Sequence, residues 1–215
     1  MYKKDIRLMA FIASAMFWGS GASANDVYME QIGDNTVVNV TQTGASNKVQ
    51  GLLDTEAAYI GGDGNTVNIS QIGVNNVVKL SLGNPNIGGA GSGTTVTATA
   101  DGNDNIQTIN CGSALASNCS ATTLTTNISG DSNRTTQTIS GSAVSSVINV
   151  TGNYNQVTHT ASGAGAHTGD ITVTGSGTSV ASPNTVALTQ TGALTKHATI
   201  TSNGSNNNIS VTQSD

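Results

Sequence analysis

Aromatic rings are scarce in this chain: two Phe, four Tyr and one Trp among 215 residues. Such rings supply much of the buried area of an ordinary enzyme core, so the composition is an odd one for a globular enzyme. Charge is scarce as well, at 9%. Disorder needs low hydrophobicity together with high net charge, and the second condition is missing. Proline occurs only twice, which removes the main obstacle to strands, and the abundant Thr, Val and Ile favour them. Beyond residue 24 no long apolar run occurs and nothing supports a long helix.

The first 24 residues are a different text. Lys3, Lys4 and Arg7 precede an apolar run from Leu8 to Trp18, and Ala22-Ser23-Ala24 offers a small-residue cleavage site. This three-part layout predicts a secretory signal peptide over 1–24, with a repeat domain over 25–215. Cleavage there leaves Lys48, Lys79, Arg134 and Lys196 against eleven acidic residues, a net charge of −7. That balance excludes a nucleic-acid partner, which needs clustered Lys and Arg against phosphate. Cys111 and Cys119 are the only cysteines. In an oxidising compartment a C-x7-C pair most simply closes a local disulfide, and two cysteines without a nearby histidine are inadequate for a metal.

What is abundant is glycine in phase. Gly33 and Gly44 stand 11 apart, as do Gly62 and Gly73, Gly130 and Gly141, and Gly141 and Gly152. Each step has room for one short strand and one tight turn, two steps making a unit of about 22 residues. Between turns, amides and apolar residues alternate. Asn25, Val27, Met29, Gln31 and Gly33 give N-x-V-x-M-x-Q-x-G; Asn65 to Gly73 and Asn184 to Gly192 repeat it, and Asn207, Ile209, Val211 and Gln213 give it once more. Looser copies follow Gly102 and Gly130 (Asn105, Asn133) and Gly152 (Asn155). Seven units result: 25–49, 63–83, 94–112, 121–142, 143–163, 169–192 and 193–213. Irregular insertions separate several of them, at 50–62, 84–93, 111–120 and 176–183. The phase after Gly33 and Gly192 is displaced by one residue and leaves the inward set there undecided.

Alternation over five to seven residues buries one face of each strand. The pattern predicts an all-β fold, a β-solenoid of about seven strand-turn-strand rungs, each stacked about 4.8 Å from the last. In that geometry a buried amide meets the same amide above and below, donating to one and accepting from the other. Asn25, Gln31, Gln42, Asn47, Asn65, Gln71, Asn76, Asn105, Asn133, Asn155, Asn184, Gln190, Asn207 and Gln213 are the expected register keys. Gly33, Gly44, Gly62, Gly73, Gly102, Gly130, Gly141, Gly152, Gly192 and Gly204 are the expected turns.

The pattern Q-x-G-x-x-N-x-[VIA]-x-[VIL]-x-Q resembles the curlin repeat, with Gly62 to Leu82 and Gly204 to Gln213 as the nearest matches. The resemblance covers most of 25–215, strongly at both ends and loosely between 94 and 170. It implies a secreted subunit of curli, the bacterial amyloid fibres of biofilms, exported through a dedicated outer-membrane pore of a Gram-negative-type cell. It further implies that the partners are other copies or related subunits. The insertions and the cysteine loop depart from near-uniform curlin repeats, as does the lack of a glycine-rich leader, so major subunit, minor subunit and nucleator all stay open.

Good repeat copies at both ends predict exposed strand edges, which template the addition of another chain. An enzyme is the rival for which the residues offer least. The acidic residues are scattered, many beside turn glycines; His159, His167 and His197 have no companion constellation, and a structural or solvated role is expected for them. No cofactor or small-molecule substrate is expected. GGDGNTVNI (61–69) resembles a calcium-binding nonapeptide but occurs once and has Thr66 where Asp is needed. The remaining alternative is a soluble monomeric solenoid that binds ice or another surface through threonines such as TTVTAT (94–99), whose spacing holds no fixed T-x-T in the sequence. Lys79 and Lys196 are expected to be solvated.

Overall fold

The computed structural model describes residues 23–83, 94–112, 122–140 and 143–215. Most of the expected signal segment, the turn glycine Gly141 and Cys119 lie outside the described residues.

Seventeen strands and no helix are formed among the described residues. β1 (Asp26–Val27) and β2 (Met29–Ile32) share the opening level of a ten-strand sheet. The chain crosses to β3 (Val37–Ala45) in a seven-strand sheet and returns to β4 (Lys48–Gln50) and β5 (Ala58–Gly61), which again share a level. Six rungs follow, each with one strand in the seven-strand sheet and then one in the ten-strand sheet. They are β6 (Thr66–Val74) with β7 (Val77–Leu82), β8 (Thr95–Asp101) with β9 (Ile106–Cys111), and β10 (Thr123–Ser129) with β11 (Arg134–Ser140). The last three are β12 (Ala143–Thr151) with β13 (Asn155–Ser162), β14 (Ala166–Thr174) with β15 (Asn184–Thr191), and β16 (Lys196–Asn203) with β17 (Asn208–Gln213). Every ladder between named strands is parallel, so the chain forms a parallel β-solenoid.

Two boundaries differ from the sequence-based units. A rung runs from a seven-strand-sheet strand to the next ten-strand-sheet strand, so 25–49 is an opening half-rung plus β3. The expected insertion 50–62 contains β5, all four residues of which are buried, because Ala58 and Ile60 fill the inward places that β4 is too short to reach.

Inward residues stack in columns. Val67, Val96 and Leu124 lie over one another in one sheet, and Leu80 and Ile109 in the other. Burying each such side chain contributes roughly 1.5–3 kcal/mol. The apolar core falls into two clusters, one reaching from Val49 to Leu124 and Ile139, the other from Ile128 to Ile200. A band of buried polar residues (Gln107, Thr126, Thr135, Gln137, Ser146 and His159) occupies the middle rungs.

Candidate assembly interface

Six of the seven turns from the seven-strand to the ten-strand sheet share one design, the Gly175 turn being the exception. A glycine at positive φ is followed two residues later by a residue in the left-handed region, and Asn then opens the strand. Ser46, Asn75, Asp104, Ser132, Tyr154 and Asn206 hold that left-handed position at φ of 57–59°. The glycine is obligatory: a Cβ on Gly102, at φ 132°, would fall onto the carbonyl oxygen of Gly130 in the next turn.

The asparagines that follow form one unbroken ladder: Asn25, Asn47, Asn76, Asn105, Asn133, Asn155, Asn184 and Asn207. Asn47 Oδ1 accepts both the backbone N–H and Nδ2–H of Asn76, each at 3.1 Å. Asn105 bonds Asn76 in the same way, at 3.1 and 3.0 Å, and Asn133 bonds Asn105 at 3.0 and 3.1 Å. From Asn25 to Asn155 each Nδ2 also donates to a glycine carbonyl in the next turn, as Asn76 does to Gly102 at 2.7 Å and Asn105 to Gly130 at 2.7 Å. The buried amides of the middle rungs are thereby satisfied above and below. At Asn184 only Nδ2 reaches the previous Oδ1, at 3.0 Å, while the backbone N–H turns to Tyr154, because 176–183 lengthens that turn. The ladder glycines are Gly44, Gly73, Gly102, Gly130, Gly152 and Gly204. Gly175 is a further one that sequence reading missed, its Asn lying nine residues on instead of three.

Among the described residues the opposite turns, which include Gly33, Gly62 and Gly192, carry no such asparagine ladder. The equivalent inward places hold Thr36, Asn65, Thr94, Thr122, His167 and Lys196. Asn65 is therefore not a register key: Nδ2 bonds Gly61 and Gly62 of its own turn at 3.1 and 2.9 Å, and Oδ1 is buried without a partner. The displaced phase resolves here as well. After Gly33 the inward set is Thr36, Val38, Val40 and Gln42, whereas the Gly192 turn is one residue longer and turns Lys196, Ala198, Ile200 and Ser202 inward. Lys196 is thus buried, not solvated; Nζ bonds the Asp215 carboxylate and the Leu194 carbonyl. That bond to Lys196 holds the Asp215 carboxyl below its usual range. Lys79 pairs with Asp54 at 2.7 Å.

The glutamines form short pairs. Gln42 donates to Gln71 at 2.8 Å near one end, and Gln190 to Gln213 at 2.8 Å at the other. Gln31 departs from expectation: its neighbour one level on is Ile60, and its amide folds back to the Gly33 carbonyl at 2.6 Å. A polar path joins the middle of the core to the Gln190 pair. Thr126 donates to Gln137, Gln137 to Ser146 Oγ at 3.0 Å, and Ser146 meets His159 Nδ1 at 2.6 Å. His159 Nε2 reaches Gln190 Oε1 at 3.0 Å. Because Gln190 Oε1 only accepts, Nε2 carries the ring proton and Nδ1 accepts from Ser146. Burial holds His159 below the ordinary imidazole range, the bond to Gln190 opposing in part. His167 is buried too, bonding the Ser162 carbonyl at 3.1 Å, and His197 is exposed. Cys111 closes β9, fully buried and disulfide-bonded.

Both ends of the stack present strand edges to solvent. At one end Tyr28 is 54% and Val38 36% exposed, while Gln42 is only half-buried. At the other end Ile209, Val211 and Gln213 are half-buried. The inward columns run up to these edges without a change of character. No protein-family model matches this chain, and neither a curated protein nor a solved structure does.

Proposed function

We propose that this chain is a secreted structural subunit of curli-like extracellular fibres. It polymerises by stacking the end of one solenoid on the end of the next and has no catalytic site. The observation that carries this reading is the state of the two ends. Amide and apolar columns reach both edges, half-exposed and without a described neighbour, and such edges recruit further strands. Export through a curli-type outer-membrane pore and a place in the biofilm matrix go with the resemblance of the repeat, and the partners are other copies or related subunits.

The test is dilution of the purified chain from denaturant, followed by electron microscopy and by the rate at which added seeds elongate. Unbranched fibres that grow from seeds are expected, with slower growth for Gln213→Ala. A persistent strand-rich monomer would overturn the homopolymer.

A second reading, a soluble solenoid that adheres through one face, draws on the outer side of the seven-strand sheet. There Thr66, Thr95 and Thr123 stack in one column, and Asn39, Asn68, Thr97 and Thr125 in another. Retention of the monomer on ice or a polysaccharide surface, lost on Thr97→Lys, would favour it.

A further inference from the structure

Counted along the coil, the chain fills fifteen strand positions, eight levels in one sheet and seven in the other. An odd number constrains any copy that continues the stack. Added without rotation, a second copy sets β1 and β2 on β17, and β16 then faces an empty level before the next β3. Turned half a revolution about the stack axis, it leaves no level empty: β1 and β2 lie on β16, and β3 lies on β17. Resting on the self-assembly reading above, we propose that successive copies join with this half-turn. The ten-strand sheet of one copy continues as the seven-strand sheet of the next.

Three observations support it. The first is register. With a single offset Val27, Met29 and Gln31 of the second copy meet Ala198, Ile200 and Ser202, and Val38, Val40 and Gln42 meet Ile209, Val211 and Gln213. Inward residues meet inward residues throughout, and strand direction is preserved because every ladder is parallel.

The second is the turn between them, which sets Gly33 on Gly204. These two turns have the same form: Gly33 and Asn35 at φ 133° and 56°, Gly204 and Asn206 at φ 104° and 57°. The Gly192 turn, on Gly33's own side, is one residue longer and has no left-handed residue after its glycine. Inside the molecule the Gly33 turn already bonds like a laddered one. Asp34 N–H donates to the Asp63 carboxylate at 2.7 Å and Gly64 N–H to the Asp34 carbonyl at 2.9 Å. Asn103 N–H likewise donates to Asp131 at 2.7 Å, and Ser132 N–H to the Asn103 carbonyl at 2.8 Å. At the junction Ser205 N–H meets the Asp34 carboxylate, and Asn35 N–H meets the Ser205 carbonyl. The space above Gly204 is open, with nothing nearer to a Cβ than Asn207 Nδ2 at 3.8 Å; the Gly33 carbonyl fits it.

The third is the polarity of the amides. Gln190 donates toward Gln213, and Gln42 toward Gln71. Gln213 uses one N–H on the His197 carbonyl at 3.0 Å and has another to give. Gln42 Oε1 has no donor among the described residues. In the half-turn junction these two meet, and the four glutamines become one ladder with a single direction. Asp26 of the second copy comes beside His197. The unrotated junction extends the asparagine ladder, Asn25 on Asn207, but forfeits the strand partner of all eight residues of β16.

Engineered cysteines on outward, exposed positions separate the two. The half-turn puts Thr41 of one copy beside Thr212 of its neighbour; the unrotated junction puts Glu30 there. Parallel neighbours in register lie within disulfide reach, whereas Thr41 and Thr212 of one copy stand at opposite ends of the stack. Oxidised fibres of Thr41→Cys/Thr212→Cys are expected to run as a ladder of covalent oligomers, and those of Glu30→Cys/Thr212→Cys as monomer. Image reconstruction of unmodified fibres is expected to give a rise of roughly 36 Å per copy, from levels about 4.8 Å apart, with a rotation near half a turn. The reverse cross-linking pattern, or fibres that cross-link through neither pair, overturns the half-turn while leaving the fibre reading intact. A chain that forms no fibre overturns both.

Discussion

The two columns of turns in this solenoid do the same geometric job with different chemistry. On one side Asn76, Asn105 and Asn133 bond one another and the neighbouring glycine carbonyls. On the other, Asn65 bonds only its own turn and strands its Oδ1. The laddered side carries a long excursion at 176–183; the opposite side carries those expected at 84–93 and 111–120, while 50–62 interrupts the ten-strand sheet between β4 and β5. A turn whose amide is bonded to both neighbours fixes the register of the whole rung, which leaves the other turn free to vary in length. Loop closure adds little cost as such turns lengthen.

Substitutions break this comparison in a graded way. Asn105→Ala is expected to cost about 3 kcal/mol, since it strands the Asn133 backbone N–H and the Gly130 carbonyl and leaves Asn76 Oδ1 only the backbone N–H of residue 105; urea unfolding of the isolated chain measures it. Asn76→Thr should cost about 2 kcal/mol, because a hydroxyl replaces an amide that donates to Asn47 and Gly102 and accepts from Asn105. Asn65→Thr, matching Thr36 and Thr94 in its own column, should cost less than about 1 kcal/mol. Equal losses for the last two would erase the distinction between the sides.

A smaller effect follows from pH. His159 is held neutral by burial, so its folded-state affinity for protons is below that of the unfolded chain. As pH falls below about 6.5 the unfolded state takes up the proton first, and stability is lost as the pH drops through the lowered folded-state range. The urea midpoint should fall between neutral and mildly acid pH in the parent chain and stay flatter in His159→Gln. The smallest change expected is Gln107→Val. It removes a buried Oε1 that has no partner and fits a column already holding Val78 and Thr135, so a shift of within about 1 kcal/mol is expected, in either direction.

Much of the fold was legible because a solenoid repeats its inward positions at a fixed step. Gly73, Asn76, Val78 and Leu80 declare turn, ladder and core in order, and Gly102 with Asn105 does so again. Alternation reports which residues face inward, not which sheet holds them. Asn25 and Asn65 open identical motifs yet lie on opposite sides of the coil, so only one joins the ladder. Length variation hid the rest. The long turn between Gly175 and Asn184 concealed a ladder position, and one extra residue after Gly192 turned Lys196 inward. Gln31 failed as a key because β5 places Ile60 next to it. The path from Thr126 through His159 to Gln190 was invisible, since its members are far apart in sequence and unlike in type.

The most direct measurement is fibre diffraction from aligned assemblies of the purified chain. The account predicts a sharp meridional reflection near 4.8 Å, from rungs that continue across every junction. A chain that stays monomeric and strand-rich under the same conditions, giving no meridional order, would contradict it.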